Sequence, residues 1–253
     1  MTVQDLIAAL ELPASCRVDQ RIPKKLLVEN GAPTAADKRN ITEGIEEIQW
    51  VSSLKPSSIG VPEYRDESRE YLEIAVLHIA LRQDAKASRI AELTHRAVPY
   101  PILLLLTEQN QLTLSISHIR LAQNEAGKMV LDGGLVAVDL NEPTPAPEVF
   151  TAFLQALSIT RQPRDNLRVI YQGWSDTLTA FQAAQITGVF TQSQTDEQAA
   201  TRRASLLACR ELEQQITALR TAAAKEKQLA RQVALNLEIK QLQAKQQIAS
   251  VLL

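Results

Sequence analysis

Three histidines, two cysteines and scattered acids are what this chain offers for chemistry. Nucleophilic catalysis needs a nucleophile with a base beside it, and metal chemistry needs clustered ligands. His78, His95 and His118 stand far apart, and Cys16 and Cys209 show neither a disulfide framework nor metal-ligand spacing. His78 falls within an apolar run, where a hydrogen-bonded core histidine is the expected role. His95 and Arg96 fall at a helix end, where positive side chains complement the dipole. His118 with Arg120 is the more chemical pair. Leu112, Leu114 and Ile116 alternate with polar residues, but Ile119 and Leu121 are then the apolar pair. That flip of phase predicts a β-bulge near Ser117-His118 that re-aims His118 and Arg120.

Glu70 and Glu73 invite comparison with metal-dependent nuclease folds, which carry carboxylates and a lysine on adjacent strands. The acidic-x-Lys arrangement is missing, because Ile74-Ala75 follows Glu73. No GxxxxGK loop, GxGxxG turn or GxSxG elbow occurs. The sequence therefore nominates no catalytic residue, no metal ligand and no cofactor. Arg21, Lys24 and Lys25, with Arg17 just upstream, form a basic cluster suited to phosphate contact. A solvated helix end explains the same residues.

The elements that must position these groups are clearer. Tyr71 to Leu81 is apolar on both alternating faces, as a strand covered on both sides would be. Ala87, Ile90, Ala91, Leu93 and Ala97 share one helical face, and Pro99 and Pro101 stop that helix before the apolar strand Ile102 to Leu106. This is a right-handed β-α-β crossover between parallel strands. Upstream, Thr2 to Leu10 reads as a short helix, Pro23 opens a second, and Thr34 with Asp37 opens a third reaching Glu46. A strand follows over Ile48 to Leu54, then a loop from Ser57 to Ser68. Downstream, Leu112 to Leu121 returns as a hairpin partner, and after an AQNEAG turn Lys128 to Asp139 is a strand that Asp132-Gly133-Gly134 can break.

Asn141 to Pro147 (NEPTPAP) is a stiff linker, followed by helices over Glu148 to Leu157 and beyond Pro163. From Asp196 to Leu253 there is no Gly, Pro or aromatic residue, the composition of a long helix. Leu212, Ile216, Leu219 and Ala223 space as a heptad seam, as do Ala230, Val233 and Leu237; Leu235, Ile239, Leu242, Ala249 and Leu253 form a second seam out of phase. Unbroken, this helix would reach about 80 Å and need a partner chain to cover it. Leu212, Ile216, Leu219, Val233, Leu237, Ile239 and Leu242 are its expected partner-binding residues. The expected architecture is thus α+β: a mixed-sheet domain over 1–140, a linker and helical segment over 141–193, and a long C-terminal coiled-coil helix over 194–253.

With 253 residues and 45% apolar composition the chain has an ordinary globular balance, and its net charge of −2 gives no global pull toward nucleic acid or an anionic membrane. The acidic, unbasic N-terminus is not a secretory leader, and no apolar run approaches a membrane span. A cytoplasmic protein with reduced cysteines is expected.

Arg21-Ile22-Pro23-Lys24-Lys25, Trp50, Leu54-Lys55-Pro56 and Glu70-Tyr71-Leu72-Glu73-Ile74 carry a family resemblance. It is clearest at Ile90-Ala91-Glu92-Leu93, Ala97-Val98-Pro99-Tyr100-Pro101 and Ser117-His118-Ile119-Arg120. The chain resembles a bacterial domain-of-unknown-function family numbered forty-three ninety-one. What the resemblance implies is a setting: members stand beside DNA helicases and DNA methyltransferases in restriction-like anti-phage loci. The expected function is then a non-catalytic accessory or scaffold subunit of such a complex, docking through its C-terminal helix to a helicase or methyltransferase subunit or to its own copy. The alternatives are a nucleic-acid-binding module using Arg21, Lys24, Lys25, His118 and Arg120, and a cryptic metal-dependent nuclease around Glu70 and Glu73.

Overall fold

A computed structural model describes residues 1–122, 129–141 and 146–253. The chain divides into two compact units, Met1–Leu178 and Thr179–Leu253. In chain order the first unit begins with α1 (Val3–Ala9), β1 (Arg17–Arg21), α2 (Lys24–Gly31), α3 (Ala35–Gly44) and β2 (Ile45–Leu54). Then come α4 (Pro56–Ile59), β3 (Tyr64–Arg65), β4 (Glu70–Tyr71), β5 (Ile74–Leu81), α5 (Ala87–Ala97) and β6 (Ile102–Glu108). It continues through β7 (Gln111–Ile116), β8 (Ile119–Leu121), β9 (Met129–Leu131), β10 (Val136–Asp139), α6 (Pro147–Ala156) and into α7 (Leu167–Thr187). The second unit carries α8 (Asp196–Lys225) and α9 (Leu229–Ser250).

The architecture is α+β, as the sequence predicts. Six strands form one mixed sheet in the order β1-β2-β5-β6-β7-β10, and β5 and β6 are its parallel pair, with α5 as the connection between them. Ala75, Leu77, Ile79 and Leu81 of β5 and Ile102, Leu104 and Leu106 of β6 share a core with Leu27, Ile41, Ile90 and Leu93 from α2, α3 and α5. Val76, Leu103 and Leu105, of opposite parity, are buried too, so the sheet is covered on both faces. Gly31 is where α2 meets α5: a Cβ there would stand 2.9 Å from the Leu93 carbonyl oxygen. Thr34 caps α3 by accepting from the Asp37 amide at 3.1 Å, and the Asp37 carboxylate accepts both from the Thr34 hydroxyl at 2.7 Å and from Arg89 Nε at 2.8 Å.

Four expectations need correction. The Tyr71–Leu81 strand is two pieces, because Glu70–Tyr71 pairs with Tyr64–Arg65 in a separate small sheet. The Ser57–Ser68 loop accordingly holds most of α4 and all of β3. The bulge near His118 lies on the opposite arm: β7 ends at Ile116 and β8 starts at Ile119, while Asp132–Leu135 separates β9 from β10. Val136 pairs with Ile116, the Asp132 amide donates to the His118 carbonyl at 2.8 Å, and Leu131 pairs with Ile119. Two residues thus face four, and the ribbon bends out of the sheet. Gly133, at φ +95°, supplies the left-handed step that the longer arm needs.

The fourth correction concerns the tail. It is not one continuous helix but two, interrupted at Glu226–Gln228, and the second folds back along the first. Gln246 donates to Glu213 at 2.9 Å and Arg202 to the Leu253 carbonyl at 3.0 Å, so the pair is antiparallel. The out-of-phase seams explain this: Ile216 and Ala223 on α8 and Ile239 on α9 are buried because each helix covers the other. The expected Asn141–Pro147 linker and the turn after Leu121 lie mostly outside the described residues. Among the described residues no helix is long and apolar enough to cross a membrane.

Candidate functional site

The bend at Ser117-His118 gathers a set of aromatic and charged side chains from four elements. Tyr71 of β4 shares a hydrogen bond with His118 Nδ1. Tyr171, from α7, places its hydroxyl 2.8 Å from the carbonyl oxygens of Ile102 and Ser117 and accepts from the Ser117 amide at 3.1 Å. The three rings pack together, His118 edge-on to Tyr171 at 5.1 Å between centroids and Tyr71 tilted against Tyr171 at 5.8 Å. Tyr64 continues the row 6.2 Å from Tyr71, and Arg168 lies 5.2 Å above the Tyr64 ring.

A ring of charge surrounds these aromatics. Arg69 grips Asp132 through Nε at 2.6 Å and Nη2 at 2.5 Å, and Arg120 approaches the same carboxylate at 3.7 Å. The longer arm of the ribbon therefore delivers the counter-charge for both arginines. Asp66 accepts from the Ser68 and Arg69 amides at 2.7 Å and from the Tyr64 hydroxyl at 2.9 Å. The Ser68 amide leads in holding its carboxyl below the usual carboxylate range.

Burial, with the Arg168 charge adding to it, pulls the His118 imidazole down to about 4. Burial likewise pushes the Tyr71 and Tyr171 phenols above their ordinary range. Each group is thus held in one protonation state near neutrality, which suits positioning and not proton transfer. Gln172 biases His118 slightly toward its charged form but makes no hydrogen bond to Nε2, which is buried and without a partner among the described residues. Arg168 Nε is in the same condition. Neither His118 nor Arg120 is re-aimed by its own bulge; both are placed by the unequal arms of the ribbon.

The N-terminal basic residues are elsewhere. Arg21 pairs with Glu47 at 3.3 Å, Lys25 with Glu29 at 3.6 Å, and Lys24 donates to the Ile45 carbonyl. They sit on β1 and the start of α2, four inter-strand steps from β7, or roughly 19 Å across the sheet. The structure does not bring them together with His118 and Arg120. Glu70 and Glu73 also part: Glu70 reaches Arg65 at 3.7 Å, whereas Glu73 is buried, taking Ser53 Oγ at 2.6 Å and Lys55 Nζ at 3.3 Å. A lysine thus meets a carboxylate through the sheet, although no acidic-x-Lys run announces it. Among the described residues no group of three or more His, Cys, Asp or Glu side chains is placed to hold a metal ion. His78 has the hydrogen bond expected of it, to Thr107 at 2.9 Å, but is only half-buried, whereas His95, expected as a positive group at the helix end, is fully buried and bonds Ser115 at 3.1 Å.

In the second unit the seven expected partner residues fall into two groups. Ile216 and Ile239 are buried and Leu212, Leu219 and Leu242 half-buried along the hairpin seam. Val233 and Leu237 face outward, 60% and 59% exposed. Sequence reasoning missed their companions Leu229, Ile248, Val251 and Leu252, which are 59–77% exposed. It also missed Arg69, Asp132, Arg168 and Tyr171 at the bend. The signal for Asp132 was the Gly-Gly after it, which marks a departure from regular pairing.

No curated protein and no solved structure matches the chain. A family model does, the one described as a domain of unknown function (DUF4391), over residues 10–245. That match takes in both the bent ribbon and the helical hairpin, and the chain belongs to this family.

Proposed function

We propose that this protein is a non-catalytic accessory or scaffold subunit of a DNA-acting anti-phage defence complex, of the restriction-like helicase and methyltransferase kind, assembling through its C-terminal hairpin. One observation carries the reading: α9 keeps an apolar stripe exposed although its other face is already covered by α8. A patch of that kind marks an interaction surface. The setting beside helicases and methyltransferases comes from the family resemblance. The bend around His118 agrees with this role, since its groups are fixed in one protonation state and tied into the fold.

The test is co-expression of the full chain with the helicase or methyltransferase encoded beside it. Val233→Glu combined with Leu237→Glu should abolish co-purification while the far-ultraviolet circular dichroism stays unchanged. Undiminished co-purification would reject docking through α9. A second reading, direct contact with nucleic acid, is favoured by the exposure of the Arg21 and Lys25 side chains, 73% and 81%. Surface pairs such as theirs yield readily to a stronger anion. That reading requires DNA or RNA binding that weakens steeply with salt and falls on charge reversal at Lys24 and Lys25.

A further inference from the structure

We infer that the outward stripe of α9 is covered by the same stripe of a second copy of this chain, running antiparallel. The inference rests on the docking role of α9 proposed above and names its occupant. The stripe consists of Leu229, Val233, Leu237, Ala244 and Ile248, with Leu252 in the turn that closes the helix. At 100° per residue these positions wind over about 140° of the helix surface, and the middle of that band lies roughly opposite Ile239 in the hairpin seam.

The spacing is what selects a second copy. Along the chain the steps are four, four, seven, four and four, which reads identically from either end. A two-fold interface demands that if residue i meets residue j, then j meets i. A dyad between Lys240 and Gln241 meets this at every position: Leu229 faces the partner's Leu252, Val233 the partner's Ile248, and Leu237 the partner's Ala244. A partner of unrelated sequence would place no such symmetry on the stripe. Large and small residues also meet at the third layer, as close packing of two helices requires.

Area and charge agree. Fully covered, the exposed apolar residues would remove at most about 600 Å² per copy, or about 1,200 Å² in all, which reaches the lower edge of specific stable interfaces. Lys240 is the charged residue nearest the centre of the stripe, and the dyad brings it beside its own mate at the solvent-facing rim. A central polar residue of this kind fixes register at some cost in stability. Arg231, Glu238 and Lys245 fall on the flanks, opposite the uncharged Ser250, Gln243 and Asn236 of the other copy.

The test begins with the mass of the purified full chain by light scattering and sedimentation. Twice 28.0 kDa is expected at about 100 µM. Val233→Glu with Leu237→Glu should weaken association by roughly 100-fold or more without loss of helix. Register is read separately by oxidation of single-cysteine variants, the native Cys16 and Cys209 being buried. Leu237→Cys and Ala244→Cys should cross-link when mixed, and neither should cross-link to itself. A monomer at that concentration, or self-linking of Leu237→Cys, would overturn the antiparallel second copy. If the chain is a monomer yet the glutamate variant still loses the helicase, docking through α9 stands and only its occupant changes; if neither depends on α9, both fail.

Discussion

The hydroxyl of Tyr171 takes the Ser117 amide hydrogen at 3.1 Å while lying 2.8 Å from the Ser117 carbonyl. A helix side chain thereby occupies both backbone groups of the residue at which the chain leaves the sheet. Ser117 is buried, so nothing else satisfies that amide when the hydroxyl is removed. Tyr171→Phe should therefore cost about 1–3 kcal/mol, the penalty of an unpaired buried donor. Urea unfolding would measure it, and a loss below about 0.5 kcal/mol would show that the hydroxyl is dispensable.

Acid should weaken the fold well before the carboxylates titrate. His95 and His118 are buried neutral, held by desolvation at about 3 and about 4 against an ordinary value of 6.5. Between those values the unfolded chain binds more protons than the folded one. Stability is thus intact above about pH 6.5 and falls as the pH drops through the window, by about 1.4 kcal/mol per unit for each fully engaged histidine. Denaturation at about pH 7 and about pH 5 should differ accordingly. His118→Asn should flatten part of the slope; an unaltered slope would contradict the assignment. Asp37, held near 2 chiefly by Arg89, is lost only in a lower window.

Helix contact at Gly31 sets a steric test. A methyl group there meets the Leu93 carbonyl oxygen at 2.9 Å, a backbone atom that cannot swing aside. Gly31→Ala should destabilise by about 1–3 kcal/mol despite its better helix propensity. Gly134→Ala, with open space around the new methyl, is the control and should be near neutral. Equal effects would mean that α2 and α5 are further apart than described.

The hairpin is distinguished from a single long helix by unequal mutational costs. Ile216→Ala and Ile239→Ala remove buried side chains and should each cost about 2–4 kcal/mol. Val233→Ala and Leu237→Ala should change folding by no more than about 0.5 kcal/mol when measured at low concentration, where association contributes nothing. A continuous coiled coil would make Val233 and Leu237 as costly as Ile216.

The β5-α5-β6 unit was legible because its signals are local. A doubly apolar run, a helical stripe and two prolines lie within a few dozen residues of one another. The cap at Thr34 was legible for the same reason. The bend was half legible: the flip of phase at Ser117-His118 was correctly located, but periodicity on one strand cannot say which arm carries the surplus residues. Tyr171 meets Ser117 across 54 positions, and no local pattern records that. In the tail both seams were visible, yet a seam states only which face wants cover. What covers it depends on a turn at Glu226-Lys227-Gln228, where neither glycine nor proline marks the interruption.

The bent ribbon has a consequence for its ion pairs. Two surplus residues amount to roughly 7 Å of strand on the outer rail of a curve. Asp132 arrives between Arg69 and Arg120 because the β8-β9 pairing carries it opposite His118, at the start of that outer rail. Concentrated salt, which loosens pairs that charge alone assembles, leaves that curvature untouched. Deleting Gly133 and Gly134 would keep every charge and even out the two arms, so the bend is what that deletion should remove.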